Sequence, residues 1–151
     1  MNKVLLVCLL GLSMACQAQT PCPPQELHIL TQDGKTQIIQ AEVACTPQQR
    51  AWGFQERTHI PAQTGMLFVV DKPQQFVMWM KNTPLPLDML FIDKKGTIAD
   101  IRQGAPYSLD LIYGPEDMCA VLEINANEAA NLGIKVGDRF KEEIFCLDKT
   151  P

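Results

Sequence analysis

The sequence predicts an α+β domain that is mainly β, a curved antiparallel sheet or partly closed barrel of about seven or eight short strands with two short helices. Three observations carry that expectation. Short apolar runs recur between turn residues along most of the chain, and only two windows carry helix start and stop signals. The 151 residues, 46% hydrophobic and 20% charged, suffice for one compact core and not for two. The formal charge is −4 and the isoelectric point about 5.1, so no broad basic field exists to hold a nucleic acid backbone.

Residues 1–15 read as an export signal. Lys3 supplies the positive start, residues 4–12 the apolar run, and Ala15 and Ala18 the small residues of a cleavage region. The run falls short of the roughly 20 apolar residues that a spanning helix needs. Leu12-Ser13-Met14-Ala15-Cys16 resembles the bacterial lipobox, with Ser13 where Leu is usual, which makes Cys16 the acylation site and gives a membrane anchor of lipid alone. Gln17 in place of Asp then implies the periplasmic face of the outer membrane. Cleavage after Ala18, giving a soluble periplasmic protein, is the alternative. Removing residues 1–15 takes Lys3 alone among the charges and leaves 12 basic against 17 acidic residues, a formal charge of −5.

Residues 16–26 form a Pro-rich tether and 27–147 a single globular domain. Beyond Cys16, four cysteines follow: Cys22, Cys45, Cys119 and Cys146. In an oxidising compartment they read as two bridges with three possible connectivities, of which Cys22 with Cys146 and Cys45 with Cys119 is preferred; free thiols are the alternative.

Apolar alternation from Leu27 and again over 36–44, broken by Asp33-Gly34, predicts a hairpin. Thr46-Pro47-Gln48-Gln49 then spells a capping box with Pro at the first helical position, so a short helix carrying Arg50 and Trp52 ends near Gly53. Strands are expected over 66–70, 76–80, 87–93 and 97–101, with Asp93-Lys94-Lys95-Gly96 as a turn. Residues 102–118 lack a period and read as a lid or binding loop. A strand over 119–124, a helix over 127–132 stopped by Gly133, and a closing strand over 139–146 complete the domain.

The window 76–93 concentrates the chemistry. Pro84 and Pro86 split it into two strands, leaving Lys81, Asn82 and Thr83 together at a strand end, a cation, an amide and a hydroxyl in one small volume. Asp88 falls on the face of Leu90 and Ile92, and Glu123 on the face of Val121, where lone carboxylates are costly. Arg50, Arg57 and Lys81 are the candidate partners. Together with Trp79 as a stacking wall, these residues could line a pocket for a small polar or anionic ligand; equally, they could form internal ion pairs that fix the fold.

Gly65-Met66-Leu67-Phe68, Trp79-Met80-Lys81-Asn82-Thr83, Pro86-Leu87-Asp88, Ile92-Asp93 with Gly96, Val121-Leu122-Glu123, and Gly133-Ile134 with Gly137-Asp138 arrive in order and resemble the bacterial and archaeal family catalogued as domain of unknown function 192. The likeness runs over about residues 38–145. The family's helix pattern of Arg, Gly-Leu-Met and Arg maps to Arg50, Gly53 and Arg57, with Phe54-Gln55 replacing Leu-Met. The resemblance implies a small β-rich domain, often exported or tethered, and implies no activity or cofactor.

Two other functions have some basis. Asp88 and Glu123 could divide acid and base roles in a hydrolytic or lyase-like enzyme, although no nucleophile sits at a suggestive spacing from a base. Met78 and Met80 beside Trp79 could hold Cu(I), with help from His28 or His59, although Met at strand spacing is ordinarily core. No cofactor is expected, nor any nucleic acid partner, and the sequence names no protein partner.

Overall fold

The computed structural model describes residues 22–142 and Cys146. The export signal and Cys16 lie outside the described residues, as do 143–145 of the expected closing strand. Among the described residues nine strands and two helices follow one another: β1 (Cys22–Leu30), β2 (Thr36–Ala44), α1 (Pro47–Trp52), β3 (Thr64–Gln74), β4 (Val77–Met78), β5 (Leu87–Asp93), β6 (Ile98–Gly104), β7 (Ile112–Tyr113), β8 (Met118–Asn125), α2 (Glu128–Asn131) and β9 (Arg139–Phe140). Seven strands form one sheet in the order β6-β5-β8-β3-β2-β1-β9, and β4 pairs with β7 in a separate ribbon. The last strand joins β1 through Ile29 and Phe140, while Arg139 bridges to Thr97 beside β6. The two edges of the sheet therefore approach each other, and the sheet curls into a half-barrel.

One pairing departs from the expected antiparallel sheet: β2 and β3 run parallel, Ala41 opposite Gly65. A parallel neighbour needs a crossover of a dozen or more residues, which α1 and the segment after it supply. The helix is set by the expected box: the Thr46 hydroxyl accepts from the Gln49 amide, the Gln49 side chain returns to the Thr46 amide, and Gly53 closes the end at φ 54°. The sheet also begins earlier than the domain boundary expected at residue 27. Cys22 already pairs with Val43, and the following prolines sit at a register shift before Gln25, where a missing ladder donor is tolerated.

The disulfides join Cys22 to Cys45 (Cα–Cα 6.2 Å) and Cys119 to Cys146 (4.8 Å). The preferred pairing of Cys22 with Cys146 is thus corrected: β1 and β2 are hairpin partners, so Cys22 meets the residue that follows β2.

The sheet is buried on both faces. Leu27, Ile39, Leu67, Leu90, Leu122 and Ile124 pack inside the curl with α2 over them. Met66, Phe68, Met89, Phe91 and Val121 face the other way, covered by Phe54, Phe76 and Met80 from the α1 and β4 segments. In register, Glu123 stands opposite Met66 on β3 and Met89 on β5, on that outer face. Asp88 stands opposite Ile124, on the inner one.

Candidate functional site

Over the outer core, α1 and the β4 segment stand apart and leave a cleft of about 260 Å³. Its rim carries Arg50, Trp52, Trp79 and Lys81, its walls Phe54, Phe68, Phe76 and Met78, and Glu123 forms part of its floor. Local structure places each head group. Arg50, in the last turn of α1, gives its Nη1 to the carbonyls of Cys45 (2.9 Å) and Val69 (3.0 Å), bracing the helix against β3. Lys81 opens a tight turn in which the left-handed Asn82 (φ 54°) accepts from the Glu56 amide at 2.8 Å, and the Thr83 carbonyl accepts from the Tyr107 amide at 3.0 Å. That turn is pinned on both sides. Lys81 Nζ then lies 5.1 Å above the Trp79 ring, close enough for cation–π attraction.

Glu123 is 4% exposed and lines the cleft, and among the described residues its carboxyl makes no ion pair, burial being the one cause of its shift. Burial pushes it up to about 8, so at neutral pH it is mostly a neutral acid able to donate an O–H. Arg50 and Lys81 line the same cleft without an ion pair to Glu123, and Lys81 has no carboxylate partner among the described residues. Three ionisable residues therefore line one small space, two of them cationic and one a neutral acid.

Five of the eight residues expected to form a pocket line this cleft: Arg50, Trp79, Lys81, Thr83 and Glu123. Three do not. Asn82 turns its amide to Gln55 Oε1 (3.2 Å) and serves as the turn residue. Arg57 binds both oxygens of Glu42 and stacks 5.2 Å over Phe54, beside a second, apolar hollow between α1 and β2. Asp88 is buried on the inner face, where it accepts from the Ala129 amide in the first turn of α2 (3.1 Å) and from Gln103 Nε2 (3.0 Å). A helix terminus satisfies this carboxylate, and no cation is required.

The acid–base pair of Asp88 and Glu123 is thereby corrected. The two carboxyls sit on opposite faces of the sheet and cannot flank one substrate. Met80 is fully buried in the outer core while Met78 lines the cleft, and His28 is held by Glu142, whose carboxylate accepts from its backbone amide at 2.8 Å. Among the described residues no group of three or more His, Cys, Asp or Glu could hold a metal ion. The aromatic walls were not anticipated as site residues. Phe54, Phe68 and Phe76 lie on three separate segments, so no sequence spacing brings them together.

Residues 28–141 match the family DUF192, described as Uncharacterized ACR. No curated protein matches the chain. Among solved structures, a Sinorhizobium meliloti 1021 protein described as a "putative transcription regulator" is 37% identical with a TM-score of 0.78, over 82% of this chain and 96% of that one. A protein of unknown function from Novosphingobium aromaticivorans DSM 12444 is 29% identical with a TM-score of 0.75, over 87% of this chain and 99% of that one.

Proposed function

This chain belongs to the DUF192 family, and from that premise we propose that it is an exported, lipid-tethered binding module whose outer-face cleft takes a small polar or anionic molecule. The family brings no reaction with it, so the reading rests on the site. The observation that carries it is Glu123, a carboxyl at the floor of an aromatic-walled cleft with no ion-pair partner among the described residues, under two cations that do not pair with it. A scaffold of internal ion pairs would close these groups on one another, since a buried charge is held by a partner of opposite sign. The cleft, at about 260 Å³, lies just below the usual range for ligand pockets, which favours a guest of few atoms. The regulator description of the Sinorhizobium protein is not carried over, because a formal charge of −4 offers no field for a nucleic acid.

Trp52 and Trp79 stand on the rim, so their fluorescence reports occupancy. A panel of small acids, amines and sugars is expected to contain a molecule that changes the emission and raises the melting temperature. Lys81→Ala should abolish both effects while melting near the wild type on its own, because Lys81 is exposed. Ligand-induced stabilisation that survives Lys81→Ala would move the site elsewhere. The tether is tested separately: Cys16→Ala should release the protein from the membrane fraction, and unchanged fractionation would favour cleavage after Ala18.

A further inference from the structure

We infer that the guest of this cleft is a monocarboxylate with a flat apolar body, its charged end among Arg50, Lys81 and Glu123 and its body against the phenylalanine wall. This rests on the binding reading above and assigns its ligand class. Four features of the cleft select that chemistry.

The first is charge. With Glu123 neutral the cleft holds two cations and no anion, so an amine is repelled and an anion attracted. The second is the kind of donors. Arg50 spends Nη1 on two backbone carbonyls, which leaves the rest of its guanidinium and the Lys81 ammonium for the guest. The third is what phosphate would need and does not find. Phosphate sites draw on several backbone N–H groups at a helix N-terminus or nest, whereas α1 fills its own N-terminus with the Thr46–Gln49 box and brings only its last turn, through Arg50, to the cleft. A carboxylate, with one charge and two oxygens, matches the smaller donor set. The fourth is the wall: Phe54, Phe68 and Phe76 line the cleft and are fixed by packing, each 5% exposed or less, so they offer a rigid apolar edge against which a flat apolar body packs with little ordering cost.

Glu123 makes the site proton-dependent. As an acid it donates its O–H to the guest; as a carboxylate it repels the guest. Arg50 from α1 and Lys81 from the turn after β4 are the charged groups lining the cleft, while β3 and β5 present Met66, Phe68 and Met89 beside Glu123. Among the described residues lining the cleft Glu123 is the one carboxyl, so the pH response between 6.5 and 9 is assigned to it and is tested by Glu123→Gln.

Benzoate, benzyl alcohol and benzylamine share one body and differ in the head, which makes them suitable probes. Each is titrated into the purified protein while the amide resonances of Gly53 and Glu123 and the Trp79 indole are followed. Benzoate is expected to bind at pH 6.5 at least tenfold more tightly than either analogue. At pH 9 it should bind about tenfold more weakly, because a group titrating at about 8 keeps roughly one proton in ten there. Glu123→Gln, which keeps a donor and cannot ionise, should bind benzoate equally at both pH values. If benzylamine or benzyl alcohol binds as well as benzoate, or benzoate binding ignores pH in the wild type, the ligand class is wrong and the cleft still binds. If none of the three shifts these resonances up to about 10 mM, and the broader panel also fails, the binding reading itself falls.

Discussion

Glu123 holds its proton because desolvation disfavours the charged form, and the same fact sets how stability responds to pH. Its folded-state value of about 8 stands above the ordinary 4.5, so between those limits the native protein keeps a proton that the unfolded chain has released. This contribution to stability is complete below about 4.5, declines as pH rises, and is lost above about 8, a change on the order of a few kcal/mol. Melting temperature should fall from pH 5 to pH 9, and Glu123→Gln should flatten much of that slope. An identical slope in the variant would mean that Glu123 titrates normally. At this scale the sequence was partly legible. Strand alternation put both Asp88 and Glu123 on apolar faces, which is where they lie. It could not show that a backbone amide of α2 answers Asp88, since that partner comes from a tertiary contact across the curl.

Helix α1 is the element on which the cleft depends, because it carries Arg50 and Trp52 and closes one side of the outer core. Its six residues have little intrinsic stability, and the capping box and the Arg50 brace hold it in place. Thr46→Ala should therefore cost about 1 kcal/mol of global stability and loosen the cleft, seen as faster amide exchange at Arg50 and Gly53. Unchanged exchange there would show that the brace alone suffices. The β4–β7 ribbon forms the opposite side. Gly114 follows β7 so closely that a Cβ would come within 2.4 Å of the Phe91 ring, which is fully buried. Gly114→Ala should destabilise by roughly 1–3 kcal/mol through overpacking, whereas a neutral result would place the ribbon farther from the sheet. The helix was legible from Thr46, Pro47 and Gln49 because capping is local. The ribbon was not, since Val77 pairs with Tyr113 across 35 residues of sequence and residues 102–118 show no period of their own.

For the whole molecule, the order of the strands decides which chemistry meets which. The parallel step from β2 to β3 sends the chain out through α1 and back, and that excursion builds the cleft over a sheet already filled on its inner face. The half-barrel class was legible from recurrent short strands, but the register was not, and the favoured cysteine pairing failed for the same reason. The two bridges close loops of 23 and 27 residues. Replacing Cys119 and Cys146 together by Ala should lower the melting temperature on the order of 10 °C. A non-reducing digest should yield Cys22 linked to Cys45 and Cys119 to Cys146; a peptide joining Cys22 to Cys146 would contradict the topology.

The most direct measurement is a titration of the Glu123 side-chain carbon by NMR with carbon-13-labelled glutamate, assigned by Glu123→Gln. An acid desolvated at the floor of the cleft should titrate near 8 in the free protein and move higher when benzoate occupies the site. Titration in the ordinary carboxylate range, unmoved by benzoate, would contradict both the desolvation of Glu123 and the guest assigned to the cleft.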